Sequence, residues 1–151
     1  MTAVLRYLLP IAVISFAVDR LSKWWIVDHL NLRELGYLDA FPPYLNLIMA
    51  WNTGINFGIP LGGPAVLIGL SVVISAGLFV WVWRRGEAGL AAGCGLIVGG
   101  ALGNAWDRAF YPEQAVADFI NNSLPFWQNP FSYNVADVAI VLGALWVAVK
   151  A

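Results

Sequence analysis

Pro64 to Trp83 reads PAVLIGLSVVISAGLFVWVW, twenty consecutive residues without a charged side chain. A helix that crosses the hydrocarbon core of a bilayer needs about 20 mostly apolar residues, and this stretch is long enough. The composition agrees, because 60% of the 151 residues are hydrophobic and only 11% are charged. Soluble domains carry about 25% charged residues, and a compact core of this size could not bury the apolar surplus. The stretch therefore predicts a membrane-spanning helix.

Three further apolar runs predict three more crossings. Ala88 to Trp106 contains only one strongly polar residue, Asn104. Tyr7 to Val18 continues, after DRLSK, into WWIV, so a helix that ends near residue 28 is long enough to span. Val135 to Val149 is the last run. We predict a single domain over residues 1–151: an all-α membrane protein with four transmembrane helices.

Basic residues predict the orientation of these helices. Arg84 and Arg85 lie in the short link between the second and third helices, and Arg6 and Lys150 lie near the chain ends. Short cytoplasmic segments carry an excess of Lys and Arg. We therefore expect both termini in the cytoplasm and the two long connecting segments on the opposite side. The net charge of −1 gives no indication of nucleic-acid binding.

The third helix carries glycines at a four-residue step, at Gly95, Gly99 and Gly103. Small residues at this spacing allow another helix to approach closely. Its single cysteine, Cys94, is the only one in the chain, which excludes an internal disulfide and a cysteine metal cluster.

Polar residues gather toward the outer ends of the predicted helices. Intramembrane charges are costly unless they are paired or face a wet cavity. Residues three or four apart share a helix face. The pairs at this spacing are Asp19 and Lys23, Asn104 and Arg108, and Asn134 and Asp137. We interpret the first two pairs as structural clamps between helices, and we expect Asp107 near the outer interface.

Two acidic residues have no basic partner nearby. Asp137 lies inside the last apolar run, and Asp118 lies among apolar neighbours in AVADFI. Two carboxylates in a poorly solvated site cannot both ionise cheaply, so one keeps its proton while the other stays charged. This division of roles is the chemistry of an aspartic peptidase.

Two other functions are compatible with these residues. Asp107, Asp118 and Asp137 could hold Mg²⁺ for the transfer of a lipid-linked phosphate. The chain could also be a non-enzymatic four-helix scaffold or a small transporter, because intramembrane charges also mark ion pathways. The acids gather in the outer half of the predicted bundle, which argues against a path through the membrane.

Five segments, in this order, resemble the lipoprotein signal peptidase (signal peptidase II) family. They are DRLSKWW (Asp19–Trp25), NTGINFG (Asn52–Gly58), GGALGNAWDR (Gly99–Arg108), VADFI (Val116–Ile120) and YNVADVAI (Tyr133–Ile140). The resemblance covers nearly the whole chain, and the combination of five motifs is specific although each one alone is modest.

The resemblance implies an integral-membrane aspartic peptidase of the bacterial cytoplasmic (inner) membrane, with its active site toward the periplasmic side. Such an enzyme removes signal peptides from prolipoproteins, N-terminal to a cysteine that carries diacylglycerol, and needs no cofactor and no metal. Its catalytic pair falls on Asp118 and Asp137. Its substrate-binding or supporting residues fall on Asp19, Lys23, Asn52, Gly54, Asn104, Asp107, Arg108 and Asn134. The implied partners are prolipoprotein substrates and membrane lipids, and the implied state is a monomer.

The family also implies a small extracytoplasmic β-cradle and a short periplasmic, lid-like helix, which would map near 37–62 and to part of 107–134. This chain departs from the family pattern at a few positions. Arg20 stands where glutamine is commoner, Ala117 replaces a larger aliphatic residue, and Ile55 and Asn56 stand where small residues are usual. These departures bear on the shape of the cradle, and Asn56 would offer a polar contact to a substrate or an inhibitor.

Overall fold

The computed structural model describes residues 2–54 and 62–151, so Ile55 and Asn56 lie outside the described residues. The first helix, α1 (Leu9–Lys23), continues without a break into π-helical turns on both sides, Val4–Leu8 and Trp24–His29. The other helices are α2 (Leu32–Leu35), α3 (Pro64–Arg85), α4 (Ala88–Phe110) and α5 (Val135–Lys150). The four long helical segments coincide with the four predicted apolar runs.

Two helices of the described residues are long and apolar enough to cross a membrane. They are α3, with a mean hydropathy of 2.5, and α4, with a mean hydropathy of 1.4. Most of α3 lies outside the protein interior, since only 17% of its most apolar window is buried. The α-helical part of the first segment, α1, has only 15 residues, and α5 has only 16. Four crossings therefore stay a prediction.

Helix α4 lies at the centre of the bundle because its glycines allow close contact on two sides. A Cβ added at Gly95 or Gly99 would lie 2.8 or 2.5 Å from a carbonyl oxygen of the first helical segment. One added at Gly100 would lie 2.5 Å from the carbonyl oxygen of Ala136 at the start of α5. Toward the start of α4 and the end of α5, a Cβ at Gly143 would lie 2.6 Å from the Gly93 carbonyl oxygen. The prediction that the glycines of α4 allow another helix to approach closely is confirmed.

A three-stranded antiparallel sheet, in the order β1-β2-β3, lies at one end of the bundle. Its strands are β1 (Tyr37–Phe41), β2 (Leu45–Asn52) and β3 (Val116–Asn121). Ala117 and Phe119 of β3 pack with Val27 and Leu32 in a fully buried cluster. Because side chains alternate along a strand, Asp118 between them points to the opposite face of the sheet.

The strands lie in the two ranges expected for the cradle, but the expected lid-like helix is not found in the described part of those ranges. Beyond the last turn of α4, the described residues of 37–62 and 107–134 contain no helix. The one-turn helix α2 comes just before the first range. The protein is therefore helical with a small sheet rather than purely α-helical.

Candidate active site

Asp137 lies in the first turn of α5, where it takes part in capping the helix. The Asn134 side-chain oxygen accepts a hydrogen bond from the Asp137 backbone N–H at 2.9 Å, and Asp137 Oδ2 accepts one from the Asn134 backbone N–H at 3.1 Å. This reciprocal pair satisfies two N–H groups that have no partner within the helix. An acid can thus begin an otherwise apolar helix, and its carboxylate is held in one place.

Asp118 is 2% exposed on β3, and both of its carboxylate oxygens accept hydrogen bonds. Asn134 Nδ2 donates to Oδ1 at 2.6 Å, and Asn52 Nδ2 donates to Oδ2 at 3.2 Å. Burial, and next the neighbouring charge of Asp137, raise the pKa of Asp118 to about 7. A carboxyl group with this pKa exists in both protonation states near neutral pH.

Asparagine side chains join the two aspartates into one network. Asn104 Nδ2 donates to Asp137 Oδ1 at 3.1 Å, and Asn104 Oδ1 accepts from Asn134 Nδ2 at 3.2 Å. Asn134 therefore contacts Asp118 through its amide group and Asp137 through its cap. The two acids, nineteen positions apart in sequence, lie on either side of one side chain.

A cavity of about 200 Å³ opens beside this network. Asp137 lines it, and so do Asn52 and Asn104, which donate to the two aspartates. Two further lining residues contact each other, since Arg108 Nη2 donates to the carbonyl oxygen of Gly54 at 2.9 Å. The complete lining is Asn52, Gly54, Ser71, Ala101, Asn104, Arg108, Val116, Asp137 and Ile140. Seven of the residues identified from the sequence, Asn52, Gly54, Asn104, Arg108, Asp118, Asn134 and Asp137, thus converge on one polar site.

The remaining three, Asp19, Lys23 and Asp107, form a buried ion cluster beside the site. Lys23 Nζ lies 3.0 Å from Asp19 Oδ2 and 2.6 Å from Asp107 Oδ2. Lys23 also donates to Asn104 Oδ1 at 3.3 Å, which connects the cluster to the active-site network. The spacing of Asp19 and Lys23 within α1 predicts their contact. The contact of Lys23 with Asp107 joins α1 to α4, and spacing within one helix does not predict it.

Arg20 belongs to the same cluster, although sequence reasoning did not assign it a role. Its guanidinium contacts Asp19 Oδ2 at 3.1 Å and also pairs with Asp107 Oδ1. Adjacent residues of a helix do not face each other, so spacing within α1 gives no signal for this contact. The only available signal was a charged residue in a predicted span.

The arrangement does not fit the magnesium alternative. Both oxygens of Asp107 are engaged, by Arg20 at Oδ1 and by Lys23 and the Ala117 backbone N–H at Oδ2, so this carboxylate is held by cations and the main chain. Within residues 2–54 and 62–151, no three acidic, histidine or cysteine side chains converge as metal ligands would.

The chain is similar to known proteins in sequence and in fold. A family model described as Signal peptidase (SPase) II matches residues 11–151. A lipoprotein signal peptidase of Rhizorhabdus wittichii is 32% identical over 145 residues, with 93% of this chain and 83% of that protein covered. One of Pseudomonas syringae pv. tomato is 36% identical over 147 residues, covering 91% and 81%. A bacterial membrane enzyme solved by the in meso method at 2.3 Å resolution has the same fold, with a TM-score of 0.78, 24% identity and coverage of 93% and 84%.

Proposed function

Because this chain belongs to the signal peptidase II family, we propose that it is an aspartic endopeptidase that cleaves lipoprotein signal peptides inside the membrane. Its substrates are prolipoproteins whose cysteine already carries diacylglycerol, and it cuts on the N-terminal side of that cysteine. The observation that carries the proposal is the contact of Asn134 with both Asp118 and Asp137. This contact brings the two carboxyl groups into one hydrogen-bonded network beside the polar cavity, which Asp137 and the Asp118 partner Asn52 line.

The dyad hydrolyses the peptide bond through one bound water. The charged carboxylate takes a proton from the water as the water oxygen attacks the scissile carbonyl carbon. The protonated carboxyl donates a hydrogen bond to the developing oxyanion. The tetrahedral intermediate then breaks its C–N bond, and the leaving amine takes up the proton. The pair shares its protons, so the two roles belong to the dyad rather than to a fixed residue.

The remaining residues of the site hold the reacting groups. Asn104 donates to Asp137 and Asn52 donates to Asp118, and both asparagines line the cavity. Arg108 holds the chain at Gly54, which also lines the cavity. A cysteine that carries diacylglycerol keeps the cleavage site near the membrane surface, which is consistent with a dyad at the end of a helix bundle.

We also propose that the chain crosses the bacterial inner membrane four times. The α1 segment is continuous from Val4 to His29, and at about 1.5 Å per residue it reaches across a bilayer. The sixteen residues of α5 end at Lys150, whose charged end can extend to the headgroups. Both termini then lie in the cytoplasm, and the sheet lies on the periplasmic side.

The decisive experiment replaces each carboxylate in turn and measures cleavage in detergent micelles. Asp118→Asn and Asp137→Asn keep the shape of the side chain, and we expect each to abolish cleavage while the protein still inserts into membranes. Asp39→Asn, at an exposed position of β1, is the matched control and retains activity. Cleavage by either variant would show that Asp118 and Asp137 are not the catalytic pair.

The substrate and the absence of a metal requirement are tested in the same assay. A prolipoprotein with diacylglyceryl cysteine is cleaved, whereas the same chain with an unmodified cysteine is not. Addition of a chelator leaves the rate unchanged. Loss of activity with the chelator would favour metal-assisted chemistry instead.

A further inference from the structure

We infer that Arg20 is a positioning residue for the dyad: with Lys23, it ties together the two carboxylates that hold the backbone just before each catalytic aspartate. The inference rests on the proposed function, because it assumes that Asp118 and Asp137 are the reacting groups. It is carried by hydrogen bonds between two non-catalytic aspartates and the main chain.

Each of these two aspartates accepts a hydrogen bond from the residue that precedes a member of the dyad. Asp107 Oδ2 accepts from the Ala117 backbone N–H at 3.2 Å, and Asp19 Oδ1 accepts from the Ala136 backbone N–H at 3.1 Å. Ala117 and Ala136 are both fully buried. A shift of either bond therefore moves the Cα of a catalytic aspartate, since the two residues are joined by a rigid peptide plane.

Both N–H groups would otherwise lack a backbone partner. Strand β3 is at the edge of the sheet, so the N–H groups on its outer side need acceptors from outside the ladder. Ala136 lies in the first turn of α5, where N–H groups have no partner within the helix. A carboxylate at each place supplies the acceptor and fixes one half of the dyad.

The two cations link these carboxylates to each other. Lys23 is fully buried between Asp19 and Asp107, whereas the Arg20 side chain is 19% exposed and approaches the same pair from the edge of the cluster. Arg20 is the partner of Asp107 Oδ1 in the described part of the chain, while Lys23 and Ala117 share Oδ2. The second cation balances the second anion, and a buried charge without a partner is strongly unfavourable.

Removal of the guanidinium leaves two buried carboxylates with one ammonium between them. Asp107 can then rotate toward Lys23 and lose its hold on the Ala117 N–H, which displaces Asp118. Catalysis depends on sub-ångström placement of the dyad, and misplacement by about 1 Å can cost on the order of 100-fold in rate. Substrate binding depends on the cavity lining, which does not include Arg20.

The test compares Arg20→Gln and Arg20→Lys with Arg33→Gln as a matched control. Arg33 is also a partly buried arginine, and like Arg20 it lies over the Tyr111 ring, but its ion pairs are with Asp28 and Glu113 rather than with Asp19 and Asp107. We expect Arg20→Gln to lower kcat at least tenfold with KM within twofold, and Arg33→Gln to leave kcat unchanged. Lysine keeps the charge but cannot span both carboxylates, so Arg20→Lys should recover part of the loss, to about threefold below the parent.

A purely structural role gives a different pattern. It lowers the midpoint of thermal unfolding and the folded fraction, while kcat per folded molecule stays at the parent value. A kcat of Arg20→Gln within twofold of the parent, or an equal loss in Arg33→Gln, overturns the inference. If Arg20→Gln does not fold, Arg20→Lys carries the test, and a parent-like kcat in that variant overturns it.

The dyad variants separate failure of this inference from failure of the proposed function. If Asp118→Asn is inactive and Arg20→Gln is fully active, only the role of Arg20 is wrong. If Asp118→Asn cleaves the substrate, the proposed mechanism fails and with it the basis of this inference.

Discussion

Asn134 is the single side chain on which the candidate site depends most, because it contacts both aspartates and begins α5. Asn134→Ala removes the 2.6 Å bond to Asp118 and the cap of Asp137 together. We expect kcat to fall on the order of 100-fold through misplacement of the dyad. Loss of the cap should also cost about 1 kcal/mol in the free energy of unfolding.

The control for this variant is Asn122→Ala. Asn122 is exposed, donates to the Tyr44 carbonyl oxygen at 2.9 Å and accepts from the Tyr133 hydroxyl, and it does not line the cavity. Rates and thermal unfolding of both variants, measured in the same detergent, separate the local effect from a general loss of amide contacts. Equal rates for the two variants would contradict the role of Asn134.

The protonation of Asp118 predicts how the rate depends on pH. The pKa of this buried carboxyl is about 7, and the dyad needs one proton to support the oxyanion. Above that value the pair loses its remaining proton, so kcat should fall as the pH rises through about 7, approaching tenfold per pH unit. Single-turnover cleavage between pH 5 and pH 9 measures this limb, and a rate that keeps rising to pH 9 would contradict it.

At the residue scale, sequence reasoning identifies contacts within a helix and misses those between elements. Asp19 and Lys23 are four apart on α1, and their pairing follows from helix geometry. Arg20 meets Asp107 only because α1 and α4 pack at glycine positions, so no spacing within one helix indicates it. Asn134 was expected to share a face with Asp137, but its bond to Asp118 depends on where β3 lies.

At the element scale, the position of α5 against α4 decides where Asp137 lies. A methyl group at Gly100 would meet the Ala136 carbonyl oxygen at 2.5 Å, one residue before Asp137. Gly100→Ala should therefore push the start of α5 away and cost about 1–3 kcal/mol in unfolding free energy, as overpacked cores do. We also expect a lower rate of cleavage, because a shift of the start of α5 moves Asp137.

Gly77→Ala on α3 is the control, because a Cβ there meets no atom within 4 Å. Thermal unfolding in detergent and cleavage of the lipidated substrate measure both variants. If Gly100→Ala were as stable and as active as Gly77→Ala, the close packing of α4 and α5 would not be what places Asp137.

Hydrophobic runs predict the four long helical segments to within a few residues, since apolar length is a strong signal. The strands carry a weaker signal. β3 was recognisable only as an apolar segment around Asp118, and its pairing with β2 joins residues more than sixty positions apart. Such pairing depends on the bundle that brings both strands to one end, which is why the resemblance to a family indicated the sheet and periodicity did not.

At the scale of the whole molecule, the predicted orientation can be tested with single cysteines. Cys94 is the only cysteine and is fully buried, so it can be replaced by alanine to give a background without thiols. Gln128→Cys in the exposed connection before α5 should react with a membrane-impermeant thiol reagent in spheroplasts. Glu87→Cys, between α3 and α4, should react only after permeabilisation, because positive charge keeps that link inside.

The reverse pattern, with Glu87→Cys labelled first, would invert the orientation and place the dyad on the cytoplasmic side. Labelling of both positions in intact spheroplasts would exclude a membrane between them. Agreement with the expected pattern would support an odd number of crossings between Glu87 and Gln128, as expected if α4 alone spans the membrane between them.

The order in which the dyad is synthesised has a consequence for the cell. Asp118 leaves the ribosome first, and its bridging amide and its partner acid follow together at the start of α5. On the proposed mechanism, a growing chain has no complete pair of catalytic carboxylates until α5 has been synthesised and has packed against α4. We therefore expect incomplete chains to be inactive, so that proteolysis begins only after the last helix has folded.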